Sequence, residues 1–326
     1  MPKLFRSGPR PAAPEPLAPA LGGERIGIDS LAGYTAGHGP PVLLVHGVHL
    51  AASAAEWRPV FDALRTRWSV LAIDLPGFGL SDRSPRRYSP RLMTDALHAT
   101  TAHIRRQHGP GPVNALGLGL GCEFLARAAL EQPAHYRRLV FVSPTGLDGR
   151  TQRRAPEGLT HEVPGLHALL RGAGWGGWLY RRLTQPVALR AALQRTWGTR
   201  QIDPALWQYA LLTAQRPGAW HAPLQWLAGR LASADIQPVY EQLTQPVWLA
   251  RGVRGRPADC RMLALLPALA RWRQTVFLSG ALPQVERTAP FVQRLQAFLD
   301  APDAGAPAAA PQPVPAAALH VASIWR

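Results

Sequence analysis

A glycine-rich turn, Gly117-Leu-Gly119-Leu-Gly121, is the segment of this chain best placed for chemistry, because it separates a predicted strand from a predicted helix. Backbone N–H groups beside a helix N-terminus can bind an oxygen or a phosphate. A dinucleotide-phosphate turn is not favoured, since Cys122 replaces that motif's last glycine and the next strand, ending Phe141-Val-Ser-Pro, offers no acid for a ribose. Gly119 has no side chain that could attack a substrate. The turn can therefore bind, but its middle position cannot react.

The histidines and cysteines do not suggest a metal or redox site. Two cysteines, Cys122 and Cys260, are too few for a disulfide framework, and no Cys-x-x-Cys pair or His/Cys cluster has metal-ligand spacing. Cys122 opens a helix, where its register favours packing against the sheet over a reactive thiol. We therefore expect no metal and no cofactor.

The formal charge of +16 raises the question of nucleic-acid binding. Lys3 is the only lysine, and the arginines are scattered singly or in pairs such as Arg86-Arg87 and Arg181-Arg182. This distribution is typical of a compositional bias towards Arg, Ala and Pro rather than of a phosphate-binding face. We expect no specific nucleic-acid partner.

The length and hydropathy of the chain indicate a globular protein. At 326 residues and 47% hydrophobic content, it can bury the core of one domain with an inserted subdomain. The first residues lack a hydrophobic leader, and no apolar stretch approaches the roughly 20 residues needed to cross a bilayer. The sequence therefore predicts a cytoplasmic protein without a membrane span.

Apolar runs that alternate with amphipathic stretches must position the turn. The predicted strands are 41–45, 69–73, 113–117, 139–142, 246–250 and 274–278, and the predicted helices are 57–67, 92–107, 123–132 and 291–299. Continuously apolar strands separated by helices are typical of a parallel sheet covered on both faces. The expected fold class is therefore α/β, with a doubly wound and mostly parallel sheet.

The alternation stops between Gly146 and about Glu241, where helical pieces punctuated by Gly and Pro replace the strand pattern. This segment holds six of the eleven tryptophans, which is typical of a helical cap that shapes a pocket over the carboxyl edge of a parallel sheet. For any single tryptophan, packing inside the cap is the more common role. The predicted segments are a flexible Pro/Ala-rich arm at 1–22, a core at 23–146, a cap at 147–241, the rest of the core at 242–300 and an Ala/Pro-rich tail at 301–326.

Four segments, in chain order, resemble the signatures of the α/β-hydrolase fold family and together cover about residues 25 to 300. They are the strand ending in His46-Gly47-Val48, the loop from Asp74 to Asp82, the turn and helix from Gly117 to Pro133, and the loop from Gly280 to Glu286. The resemblance implies a lid-bearing member of the esterase, haloperoxidase and dehalogenase kind. It also implies a triad of nucleophile, acid and histidine base.

The resemblance places the three triad positions at Gly119, Gly255 and Ala281, none of which carries a reactive side chain. The family's nucleophilic serine would stand at Gly119, its acid at Gly255 and its histidine at Ala281. Asp148 and Asp259 are nearby acids, but a surface-loop position is the more common role for each. The sequence therefore predicts a degenerate triad that cannot form the family's covalent intermediate.

The same resemblance implies that the backbone part of the site is retained. Val48 and Leu120 would supply two N–H donors for an oxygen, because these donors depend on backbone geometry rather than on the missing side chains. His46, Gly47 and Leu282 complete the predicted oxyanion loop and pocket. We expect His46 to support the loop rather than to transfer protons.

Two functions remain open at this point. The first is a pseudoenzyme that binds a small apolar ligand, or a protein partner, through the pocket and cap. The second is a hydrolase of ester-like substrates that acts through non-standard residues, and it needs a cap histidine beside an acid near the turn. The candidates are His161, His167, His221, Asp148 and Asp259.

Overall fold

A computed structural model describes residues 20–147, 156, 158–171, 175–255 and 267–302. Eight strands form one sheet in the order β1-β2-β4-β3-β5-β6-β7-β8. They are β1 (Glu24–Ile28), β2 (Leu31–Ala36), β3 (Pro41–Val45), β4 (Ser69–Ile73), β5 (Val113–Leu118), β6 (Tyr136–Val142), β7 (Val247–Gly252) and β8 (Arg273–Phe277). The predicted α/β fold with a mostly parallel sheet is confirmed.

The strands from β3 to β8 pair in parallel, since helical crossovers return the chain to the same edge before each new strand begins. The register sets Val45 opposite Gly117 and Leu118 opposite Val142, so the carboxyl ends of the central strands lie side by side at one edge of the sheet. β1 and β2 add an antiparallel hairpin that the sequence analysis did not predict.

Helices cover both faces of the sheet and form the cap. In chain order they are α1 (Arg58–Leu64), α2 (Pro90–His108), α3 (Gly121–Glu131), α4 (Leu166–Arg171), α5 (Gly176–Leu183), α6 (Pro186–Trp197), α7 (Pro204–Ala214), α8 (His221–Leu227), α9 (Ile236–Gln242), α10 (Pro283–Glu286) and α11 (Thr288–Leu299). Neighbouring residues of β3 enter opposite cores: Leu43 shares a buried cluster with Leu97 of α2, and Leu44 shares one with Phe61 of α1. Burial on both faces explains why these strands are continuously apolar.

The cap comprises α4 to α9, which lie between β6 and β7. Among the residues described between Gly146 and Glu241, the isolated bridge between Thr160 and Ser233 is the only β pairing. The boundaries predicted at 147 and 241 stay a prediction, because residues 148–155 lie outside the described part of the chain.

Two polar contacts fasten the cap to the core. The buried Tyr180 hydroxyl on α5 donates to the Leu50 carbonyl at 2.6 Å. The Arg83 guanidinium donates to the Thr213 carbonyl on α7 at 2.8 Å and to the Gly79 carbonyl at 2.5 Å. The cap is thus joined to two different loops at the carboxyl edge of the sheet.

The predicted arm and tail lie almost wholly outside the described residues, at 1–19 and 303–326. Within the described ranges, no helix combines the length and the apolar character that crossing a membrane requires. The cytoplasmic localisation stays a prediction.

Candidate functional site

The turn between β5 and α3 is sharp, and Gly119 stands at its apex. Its φ is +53°, in the left-handed region that residues with side chains adopt only under strain. The Gly119 N–H donates to the Val142 carbonyl on β6 at 2.9 Å, and α3 begins at Gly121. Apart from its chain neighbours, a Cβ on Gly119 would meet nothing closer than the Gly47 Cα, at 4.0 Å. The turn therefore has room for a side chain that the sequence does not supply.

A mostly apolar cavity of about 230 Å³ lies between this turn and the cap. It brings together six of the predicted site residues, namely Gly47, Val48, Gly119, Leu120, Ala281 and Leu282. His49, Glu56 and Ser143 also reach it, and the cap contributes Trp197 and Trp226. The pocket thus combines a backbone turn from the core with aromatic walls from the cap.

His46 is fully buried, is not part of the described cavity wall and supports the loop that follows β3. Its Nε2 accepts a hydrogen bond from the Leu75 N–H at 2.9 Å, which leaves Nδ1 to donate to the Gly47 carbonyl at 2.5 Å. Burial lowers the pKa of His46 below its ordinary value, so the ring is neutral near pH 7. Because both nitrogens are occupied, His46 holds the loop in place and has no free nitrogen for proton transfer.

The pocket contains a buried imidazole–carboxylate pair that the sequence analysis missed, His49 and Glu56. His49 Nε2 contacts Glu56 Oε1, and the Ala51 N–H donates to His49 Nδ1 at 3.2 Å. Since Nδ1 accepts a hydrogen bond, Nε2 carries a proton and donates a hydrogen bond to Glu56. The Gly47 N–H donates to Glu56 Oε2 at 3.0 Å. Burial opposes ionisation of Glu56, but the His49 ring and the Gly47 N–H hold its pKa below the ordinary value.

Val48 and Leu120, each with a backbone N–H group, also line this cavity. Within the described part of the chain, neither N–H donates to another protein group. Buried N–H groups are almost always paired, so two unpaired donors at one cavity are available to an acceptor atom of a bound molecule.

The C-terminal end of α6 occupies the space beside the predicted acid and base positions. The Trp197 carbonyl accepts a hydrogen bond from the Ala281 N–H at 2.6 Å, and the Ala281 carbonyl accepts one from the Ser143 hydroxyl at 2.8 Å. Gly255 has a φ of +93°, and a Cβ there would lie 3.0 Å from the carbonyl oxygens of Thr196 and Trp197. Gly255 therefore packs against α6 and does not belong to the described cavity wall.

The cap histidines are not part of the described cavity wall. His161 is exposed, whereas His167 and His221 line a separate cleft of about 470 Å³. There His167 Nδ1 contacts the Arg230 guanidinium at 2.7 Å, and the His221 ring lies 3.8 Å from the Trp220 ring between centroids. The pairing of a cap histidine with an acid at the turn stays a prediction, because both candidate acids lie outside the described residues.

Of the remaining candidates, two fall outside the described part of the chain and one is a buried cysteine. Asp148 and Asp259 lie outside the described residues. Cys122 is fully buried, with its Sγ 3.7 Å from the Val142 carbonyl on β6. In the ranges that the structure covers, no three His, Cys, Asp or Glu side chains are grouped as metal ligands would be.

A buried polar cluster joins α3 to the cap beside the pocket. Glu123, which is 2% exposed, accepts hydrogen bonds from the Thr145 hydroxyl and from the Ser233 N–H, the latter at 2.9 Å. Arg127 pairs with Asp235 at 2.7 Å. Burial raises the pKa of Glu123 to about 7, although its two hydrogen bonds favour the charged form. Thr145 also lines the cavity, so this cluster connects the pocket wall to the cap.

Comparison with known proteins agrees with this architecture. The profile of the alpha/beta hydrolase fold matches residues 40–248, which is well over half of the chain. The chain therefore belongs to the α/β-hydrolase fold family.

Two relatives are similar to this chain over most of their length. It is 25% identical to the 2-(acetamidomethylene)succinate hydrolase of Mesorhizobium japonicum, over 81% of this chain and 90% of that protein. It is 27% identical to the pimeloyl-(acyl-carrier protein) methyl ester esterase of Aeromonas hydrophila, over 81% of this chain and 94% of that protein. Homologues with hydrolase and esterase names thus share nearly the whole folded region.

Solved structures show the same fold. A serine hydrolase involved in carbazole degradation superposes with a TM-score of 0.63 at 17% identity, covering 85% of this chain and 97% of that one. The bromoperoxidase of Bacillus anthracis superposes with a TM-score of 0.63 at 18% identity, covering 83% of this chain and 95% of that one. At these identities, the likeness establishes the fold alone.

Proposed function

We propose that this protein binds a small, largely apolar molecule in the cavity between Gly119 and the cap, and that it forms no covalent intermediate. The observation that carries the proposal is Gly119 itself. The turn keeps a φ of +53° and space for a side chain, yet no atom at this position can attack a substrate. In this proposal the chain is a pseudoenzyme with a degenerate triad at Gly119, Gly255 and Ala281.

The shape and lining of the cavity support a small ligand. A volume of about 230 Å³ equals the liquid volume of roughly eight water molecules. Trp197, Trp226 and Leu282 supply apolar walls, while the Val48 and Leu120 N–H groups are placed to hold one acceptor atom. A protein partner is less favoured as the occupant, because these donors lie beneath the cap.

A second candidate function is hydrolysis through non-standard residues, and the buried His49–Glu56 pair favours it. In that function Glu56 would accept a proton from an attacking water while the Val48 and Leu120 N–H groups stabilise the oxyanion. Two points weigh against it. Both nitrogens of His49 are occupied, and a carboxylate whose pKa is held low is a weak base. We therefore place binding first.

Turnover of p-nitrophenyl acetate separates the two functions. We expect the wild type to release p-nitrophenol no faster than the Glu56→Gln variant, and a Gly119→Ser/Ala281→His variant to show an acylation burst, which proves the assay sensitive. Saturable wild-type turnover that disappears in Glu56→Gln would overturn the binding proposal in favour of hydrolysis.

Native mass spectrometry of freshly purified protein tests binding directly. We expect a small-molecule adduct in the wild type that is lost in Ala281→Leu, because the larger side chain fills the cavity. Ala168→Leu, on an exposed face of α4, is the matched control and should keep the adduct. An adduct that survives in Ala281→Leu would place the ligand elsewhere and exclude this cavity as its site.

A further inference from the structure

We infer that Glu56 selects ligands for this pocket by accepting a hydrogen bond from them, and that the ligand class is a short apolar amide. The inference rests on the proposed non-covalent binding function. It goes further by naming the residue that decides specificity and the chemical group that this residue requires.

Glu56 is a buried acceptor with unused capacity. It is 1% exposed and belongs to the cavity wall. Its two oxygens each accept one hydrogen bond from the protein, Oε1 from His49 and Oε2 from the Gly47 N–H. A carboxylate has about four acceptor positions, so capacity remains for a donor that enters the cavity.

The acceptor and the two free donors border one end of the cavity. A Cβ on Gly47 would lie 3.4 Å from Glu56 Oε2, and the Gly47 Cα is 4.0 Å from the Cβ position of Gly119. Val48 and Leu120 directly follow these two glycines and present the unpaired N–H groups. In a trans secondary amide, the carbonyl oxygen and the N–H point to opposite sides of the same carbon–nitrogen bond. Such an amide can therefore accept from the backbone donors and donate to Glu56 at the same time.

Charge and lone pairs disfavour the other carbonyl compounds. Glu56 is ionised, because its pKa is held below the ordinary value, so this side chain presents a negative charge and only acceptor lone pairs. A ligand carboxylate would be repelled by this charge. An ester would place the lone pairs of its bridging oxygen against those of Glu56, and it would leave the remaining acceptor positions of this carboxylate unused.

A matched pair of probes tests the inference on the full-length protein. N-Methylpentanamide and methyl pentanoate differ only in an N–H that replaces the bridging oxygen. We expect the wild type to bind the amide at least about tenfold more tightly than the ester, measured by titration calorimetry or ligand-observed NMR. In Glu56→Gln, whose side chain can donate as well as accept, the two affinities should fall within about twofold of each other. Glu24→Gln, at an exposed position on β1, should keep the wild-type preference.

The outcomes distinguish this inference from the function on which it rests. Equal wild-type affinities for amide and ester would overturn the role of Glu56 while leaving the binding function intact. Failure of both probes to bind, or binding that Ala281→Leu does not abolish, would overturn the proposed pocket function and the inference with it. The wild-type comparison needs no variant, so the test holds even if Glu56→Gln fails to fold.

Discussion

The Ala281 N–H donates a hydrogen bond to the Trp197 carbonyl at 2.6 Å, so the last turn of α6 is joined directly to the loop after β8. Position 281 is where the family resemblance places a catalytic histidine. The small side chain of alanine leaves the cap helix space to approach this loop. The alanine at position 281 and the close approach of the cap therefore belong to one packing arrangement.

Gly255→Asp should destabilise the protein even though it supplies an acid that the family uses. Its φ of +93° strains any side chain, and its Cβ would press on two carbonyl oxygens of α6 at 3.0 Å. We expect the free energy of unfolding to fall by about 1–3 kcal/mol in urea denaturation. Gly111→Asp is the control, because a Cβ there meets nothing within 4 Å. Equal stabilities of the two variants would contradict this packing.

The His49–Glu56 contact should appear as a coupling energy. His49→Ala removes a donor from a buried carboxylate, and we expect a loss of about 2–4 kcal/mol in the free energy of unfolding. In a Glu56→Gln background the same change should cost less, with a coupling of about 1–3 kcal/mol in the double-mutant cycle. Strictly additive losses would show that the two side chains do not interact.

Glu123 should make wild-type stability fall as the pH rises. Its pKa increases from 4.5 to about 7 on folding, so between these values the folded state holds a proton that the unfolded state has released. Its contribution to stability is therefore greatest below pH 4.5 and is lost as the pH rises to about 7, by on the order of 2–3 kcal/mol. Glu123→Gln does not titrate, and it should remove this pH dependence. Its carbonyl oxygen can still accept from the Ser233 N–H, while its NH₂ group can donate to the Thr145 hydroxyl oxygen.

The measurement is the free energy of unfolding at about pH 5 and about pH 8 for both proteins. Glu24→Gln, at an exposed position, controls for the general effect of removing a carboxylate. A wild-type slope that Glu123→Gln leaves unchanged would mean that another group is responsible.

Arg127 should be far more important for stability than an arginine in an exposed ion pair. Arg127→Met leaves Asp235, whose side chain is 6% exposed, as a buried carboxylate without its cation, and we expect a loss of about 3–5 kcal/mol. Arg65→Met breaks a pair with Asp62 in which both side chains are close to half exposed, and it should cost less than about 1 kcal/mol. Thermal unfolding of the two variants tests this, and similar losses would contradict the stabilising role of the buried polar cluster that joins α3 to the cap.

The sequence predicted the parallel part of the sheet because strands buried on both faces need continuously apolar runs. Its six predicted strands are observed within a few residues of their expected ends. The hairpin of β1 and β2 was missed, since Glu24-Arg-Ile-Gly-Ile28 mixes charges and glycine with its apolar residues. That strand lies at the edge of the sheet and is largely exposed, so it carries no strong hydrophobic signal.

The sequence predicted only those site residues that belong to the glycine-rich turn or follow the end of a strand. Gly119, Val48 and Leu120 are fixed by the turn and by the strand ends, which the sequence marks. Glu56 is the only charged residue between Leu50 and Trp57, and this was the one signal available for it. Its contacts with His49 depend on how the loop folds back, and periodicity does not determine that. The approach of Trp197 to Ala281 likewise depends on cap helix placement.

The hydrogen bond from Tyr180 to Leu50 ties the position of the cap to the turn that carries His49, because Leu50 is the next residue in the chain. An outward swing of α5 would pull on this turn and loosen the partner that orients Glu56. In the proposed binding function, ligand entry and ligand discrimination would then be linked. A molecule that forces the cap to move would also weaken the acceptor that recognises it, so fast exchange and high selectivity would oppose each other.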